Sequence, residues 1–99
     1  MSDLDHIALN VVNIEKSVKW YQDNLNFEVE YMDSTWAMMR RGQTKLALTV
    51  ASQHPPHVAF RVEELKDMPE GNIGEHRDGS KYLYKEDPDG NVFEWVFYP

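Results

Sequence analysis

The stretch HIALNV at 6–11 returns as HVAFRV at 57–62, a histidine followed by alternating residues, about fifty positions later. Period-two alternation is the signature of a strand with one buried face. Each copy opens a comparable series of elements. After the first, Asn13 is placed to cap a helix. The apolar residues Ile14, Val18, Tyr21 and Leu25 then recur at three and four, the spacing of a single buried stripe. Asn26 tolerates the left-handed conformation in which helices stop. Three predicted strands follow, FEVEYM (27–32), TWAMMR (35–40) and KLALTV (45–50), with breaks at Asp33-Ser34 and Gly42-Gln43 short enough for hairpins. Pro55 and Pro56 make SQHPPH (52–57) a linker. After the second copy, VEELKDM (62–68) is barely a helix before Pro69. A short strand near 73–76, then KYLYK (81–85), the turn DPDG (87–90) and NVFEWVF (91–97) complete the series. The expected fold is α+β, two βαβββ modules with the second helix shortened, in a single domain over 1–99. Module one is 1–51, the linker 52–56 and module two 57–99.

Ninety-nine residues suffice for one core, and such a chain buries about two thirds of its unfolded surface. It has little stability to spare for a misplaced charge. The formal charge of −7 argues against nucleic acid, whose phosphates need a basic footprint. The absence of cysteine excludes disulfides, thiolate nucleophiles and Cys-ligated metal sites. MSDLDH has neither a basic region nor an apolar run, and no stretch approaches a membrane span, so a cytoplasmic protein with no membrane partner is expected.

One carboxylate stands out. Glu94 sits inside NVFEWVF, where an unpaired charge is expensive. It opposes Phe93 and Trp95 in its strand, as His6 opposes Ile7 and Leu9, and His57 opposes Val58 and Phe60. Each points away from its strand's most apolar face. Two imidazoles and one carboxylate from three strands can occupy one side of a metal ion and leave positions for water or substrate. A lone strand histidine is more often structural, and the spacing alone does not show that the three meet. Elsewhere, Tyr82 and Tyr84 share one face of their strand, His76 precedes the turn Arg77-Asp78-Gly79, and Trp36, Met38 and Arg40 share one parity.

LDHIALNVVNIEKSVKWYQDNLNFEVEY and HVAFRV…YLYKEDPDGNVFEWV resemble the glyoxalase, bleomycin-resistance and ring-cleaving dioxygenase superfamily, the vicinal oxygen chelate fold. The resemblance covers essentially the whole chain. It implies a curved mixed sheet around a cleft that holds one divalent metal, with the ligand positions falling on His6, Ala47, His57 and Glu94. Alanine cannot coordinate, so a two-histidine, one-glutamate set remains, as in the extradiol dioxygenases and the fosfomycin thiol transferases. Gly74-Glu75-His76, then Leu83-Tyr84, Asp87-Pro88-Asp89-Gly90 and Glu94 also follow the extradiol signature. By that resemblance Tyr84 is a catalytic hydrogen-bond donor to a substrate oxygen, and His76 lies at the pocket edge. Trp36, Met38, Arg40, Ala47 and Tyr82 would line the substrate pocket. The position nearest to the second catalytic histidine of the extradiol enzymes is Gln43, which is not a histidine.

The function so implied is that of a metal-dependent dioxygenase acting on a small catechol-like substrate, with Fe²⁺ favoured and Mn²⁺ or Zn²⁺ as alternatives. A metal-dependent lyase, isomerase or thiol transferase on the same triad is the first rival. A metal-free small-molecule binding or resistance protein is the second. A homodimer is expected as well. The first module has a helix to cover the face of Ile7, Leu9 and Val11, whereas the second has only Val62, Leu65 and Met68 to cover Val58, Phe60, Phe93, Trp95 and Phe97.

Overall fold

The computed structural model describes residues 3–99. Its elements in chain order are strand β1 (Asp3–Asn10), helix α1 (Ile14–Leu25), and strands β2 (Glu28–Met32), β3 (Trp36–Arg41), β4 (Thr44–Thr49) and β5 (His57–Arg61). A single 3-10 turn at Leu65–Asp67 follows, then β6 (Gly74–Glu75), β7 (Lys81–Glu86) and β8 (Val92–Phe97). This is the expected strand, helix, three-strand series run twice, in an α+β chain whose eight strands belong to one mixed sheet. Compact units divide inside β1, between Asp5 and His6: one is His6–Pro56, and the other joins the start of β1 to His57–Pro99.

In the first unit the strand order is β2-β3-β4-β1, with β1 parallel to β4 and the other pairs antiparallel. Helix α1 begins and ends where its polar flanks dictate. The Asn13 side-chain oxygen accepts from the Lys16 N–H at 2.9 Å, and Asn26 closes the helix at φ 57. The turn into β3 is held by Asp33, whose carboxylate accepts from the Thr35 and Trp36 N–H groups and from the Tyr31 and Thr35 hydroxyls. Desolvation pushes the Asp33 carboxyl up, but these four hydrogen bonds outweigh it and hold it well below the ordinary carboxylate range.

The stripe of α1 supplies Ile14 and Val18 to a core with Phe27, Ala37, Met39, Leu46 and Leu48, and Val11, Tyr21 and Val50 pack against it. Here the sequence expectation needs correction. Ile7 and Leu9 are in register with Leu46 and Leu48, yet they remain 38% and 37% exposed. α1 packs on β2, β3 and β4, and on the β1 side it is Val11, just past the strand, that packs against this core.

In the second unit the order is β5-β8-β7-β6, with β5 parallel to β8. Pro69 and the lack of an apolar stripe reduce its helix to the 3-10 turn, and Leu65 there is exposed. Val58, Phe60, Phe93, Trp95 and Phe97 are accordingly half-buried, with the Phe60 and Phe93 rings stacked at 6.3 Å. The DPDG turn is built by Asp87, which accepts from the Asp89 and Asn91 N–H groups and the Asn91 side chain, and by Gly90 at φ 84. No helix among the described residues is long and apolar enough to cross a membrane.

Candidate metal centre

Glu94 occupies the middle of β8 and is 1% exposed, a position at which a carboxylate needs partners. Two side chains of its own unit meet it. His76 Nε2 stands 2.8 Å from Glu94 Oε2. Because a carboxylate only accepts, His76 carries a proton on Nε2 and donates it. Tyr84, paired with Glu94 across β7 and β8, hydrogen-bonds the same carboxylate through its hydroxyl. Burial, and then the charge of Glu94, push the Tyr84 hydroxyl well above the ordinary phenol range, so it stays a protonated donor at neutral pH.

Glu94 Oε1 lies 3.6 Å from Nε2 of His57, the buried residue that opens β5. The Tyr84 ring stands edge-on to the His57 imidazole at 5.0 Å. Register explains the convergence: Ala59 pairs with Glu94, and Glu94 with Tyr84, so His57, Glu94 and Tyr84 share one face of the unit. His6, the residue after Asp5 in β1, is buried as well. His6, His57 and Glu94 are thus three buried side chains of metal-ligating type that could hold an ion. Ligand atoms bound at about 2.0–2.2 Å to one ion stand roughly 3–3.5 Å apart, close to the His57–Glu94 separation. Two imidazoles and one carboxylate form a mixed N and O donor set that suits Fe²⁺, Mn²⁺ or Zn²⁺. The donor set and the spacing fit a divalent ion.

The sequence profile of the glyoxalase/bleomycin resistance protein/dioxygenase superfamily matches residues 3–71. The chain belongs to this superfamily. Metallothiol transferase FosB of Staphylococcus saprophyticus is 27% identical over 115 residues, covering 95% of this chain and 76% of that protein. Among solved structures, a hypothetical protein of Bacillus halodurans superposes with a TM-score of 0.81 at 16% identity, covering 99% of this chain and 95% of its own. Methylmalonyl-CoA epimerase of Mycobacterium tuberculosis does so with a TM-score of 0.75 at 17% identity, covering 97% and 87%. At these identities the structural matches establish the shared fold of the superfamily.

The remaining residues singled out from the sequence fall as follows. In the first unit of this superfamily member, Met38 pairs with Ala47 and Ala47 with Ala8, on the face opposite the α1 core. His6 lies two residues before Ala8 and so shares that face. Trp36 follows the same parity, its ring 4.8 Å from Tyr31. Arg40 is tied to Glu30 by Nε and a terminal nitrogen, at 3.2 and 3.3 Å. In the second unit Tyr82 stacks on His76.

Two groups escaped the sequence reading. Asp5 is buried and accepts from the Tyr98 hydroxyl at 2.6 Å, while the Arg61 guanidinium lies 5.1 Å over the Tyr98 ring. Burial and the Asp5 hydrogen bond raise the Tyr98 hydroxyl above its ordinary range. The only signal was an acid at the parity of Ile7 and Leu9. The His76–Glu94 pair had none, since two hairpin registers bring those residues together across eighteen positions.

Proposed function

We propose that this chain is a divalent-metal-dependent enzyme in which His6, His57 and Glu94 hold the ion and whose substrate is a small molecule with two neighbouring oxygens. The observation that carries this is the buried set of two imidazoles and one carboxylate, with His57 and Glu94 already 3.6 Å apart. It requires residues 1–99 to act as one domain. A bound divalent ion supplies a Lewis acid and a template for substrate oxygens. The chain's own part is to exclude water and to place Tyr84, which keeps its proton and can turn its hydrogen bond from Glu94 to a substrate oxygen that gains charge. Ala47 leaves room beside Met38 and Trp36 for the substrate, and Tyr82 adds an aromatic wall. Arg40, committed to Glu30, belongs to the rim.

Two reactions fit this arrangement. Thiol transfer comes first, because the similarity to a metallothiol transferase spans nearly the whole chain. Fe²⁺-dependent ring-cleaving dioxygenation comes second, on the run from Gly74-Glu75-His76 to Glu94. Protein purified without added metal should contain a divalent ion by elemental analysis, or take one up in the absence of air. Thiol-dependent consumption of fosfomycin by the Mn²⁺ form would support the first reaction. Catechol-dependent oxygen uptake by the Fe²⁺ form would support the second. Failure to take up any divalent ion, with flat aromatic ligands binding in chelator, would replace both with a metal-free binding protein.

We further propose that the chain is a homodimer. The half-buried face of Val58, Phe60, Phe93, Trp95 and Phe97 lacks the helix that covers the first unit. At about 25 cal/mol per Å² of apolar surface, covering several such side chains contributes a few kcal/mol. Sedimentation equilibrium at micromolar concentration should give twice the 11.6 kDa of one chain. A mass of one chain that is constant on dilution overturns the dimer.

A further inference from the structure

The hairpin that carries His76 fixes that residue from three sides. At its tip, the His76 N–H donates to the Ser80 carbonyl and the Gly79 N–H to the His76 carbonyl, both at 2.9 Å. Asp78 Oδ1 accepts from the Ser80 N–H at 2.8 Å and from the Ser80 hydroxyl at 2.6 Å, and Ser80 is buried. Along its arms, Gly74 pairs with Tyr82. The Tyr82 ring fills the space where a side chain at 74 would begin: a Cβ there would stand 2.7 Å from two ring carbons. Tyr82 is thereby free to lie flat on the His76 imidazole, with centroids 3.8 Å apart and planes 11° from parallel. The imidazole, backed by this ring, directs Nε2 at Glu94 Oε2 at 2.8 Å.

We propose that His76 is a positioning residue of the metal centre: its Nε2–H holds Glu94 Oε2, so that the carboxylate turns Oε1 alone toward the ion, and Gly74 and Tyr82 hold the imidazole in that pose. This rests on the metal reading above and deepens it. Oε1 is the oxygen that faces His57 Nε2. Held this way, Glu94 takes one coordination position rather than two and leaves another for substrate. Outer hydrogen bonds of this kind orient a ligand, and their loss typically lowers metal affinity by about 10–100-fold.

The test is titration of the full chain with Co²⁺, read as affinity by chelator competition and as coordination by the visible absorption band. Wild type should bind one Co²⁺. His76→Ala should bind roughly 10–100-fold more weakly, with an altered band as the second carboxylate oxygen enters. His76→Gln, which keeps an N–H donor, should recover part of both. Gly74→Ala, which displaces Tyr82, should change both in the direction of His76→Ala. If His76→Ala does not fold by circular dichroism, Gly74→Ala decides on the same two readouts. Unchanged affinity and band in the folded variants overturn the role of His76 and leave the metal site standing. Absence of Co²⁺ binding by wild type overturns the metal reading itself.

Discussion

Glutamine at position 94 is expected to abolish the stabilisation that a divalent ion gives the wild-type chain, while leaving the metal-free fold intact. An ion that binds only the folded state stabilises by about 2.7 kcal/mol at one hundred times its dissociation constant. For a chain of this size, that corresponds to a rise of roughly 10–20 °C in the thermal midpoint. Glu94→Gln preserves the volume of a 1%-exposed side chain and leaves an oxygen to accept from His76. It removes the charge and the ligand oxygen facing His57. Removing a buried negative charge also lowers the desolvation cost of folding, so the metal-free variant should be no less stable than the metal-free wild type. Thermal unfolding with Mn²⁺ and with chelator measures both. Equal shifts in the two proteins would place the ion elsewhere, and no shift in wild type would end the metal reading.

Leu48→Ala should lower stability by about 2–5 kcal/mol, the usual cost of emptying a filled core position. The whole folding free energy of such a domain is only about 5–15 kcal/mol. Leu48 is fully buried against Ile14 and Val18 of α1. Its partner in register, Leu9, is the control. The same substitution there should cost about 1 kcal/mol or less, because the side chain is already 37% exposed. Urea unfolding of the two variants separates them. Comparable losses would mean that Leu9 is packed as tightly as Leu48, as the bare alternation of HIALNV suggests.

That contrast marks where sequence reasoning reached its limit. The helix was legible to the residue, Ile14–Leu25 between Asn13 and Asn26, because capping and the left-handed stop are local chemistry written in consecutive side chains. The succession of elements along each repeat, and the turns at Asp33 and DPDG, followed from local signals for the same reason. How deeply the apolar face of β1 would be buried was not local: Ile7 and Leu9 alternate as core residues do, yet they stay 38% and 37% exposed.

The site divides along the same line. Parity alone placed His6, His57 and Glu94 on the faces opposite their most apolar neighbours, because side chains alternate along any strand whatever lies around it. That His57, His76 and Tyr84 meet Glu94 was decided by register between strands distant in sequence. Register follows from hydrogen-bonded pairing and turn length summed over the sheet, and no single stretch of this chain encodes it. From the sequence, Glu94 was a buried charge in need of a partner. Only the tertiary structure shows His76 on one of its oxygens and His57 facing the other.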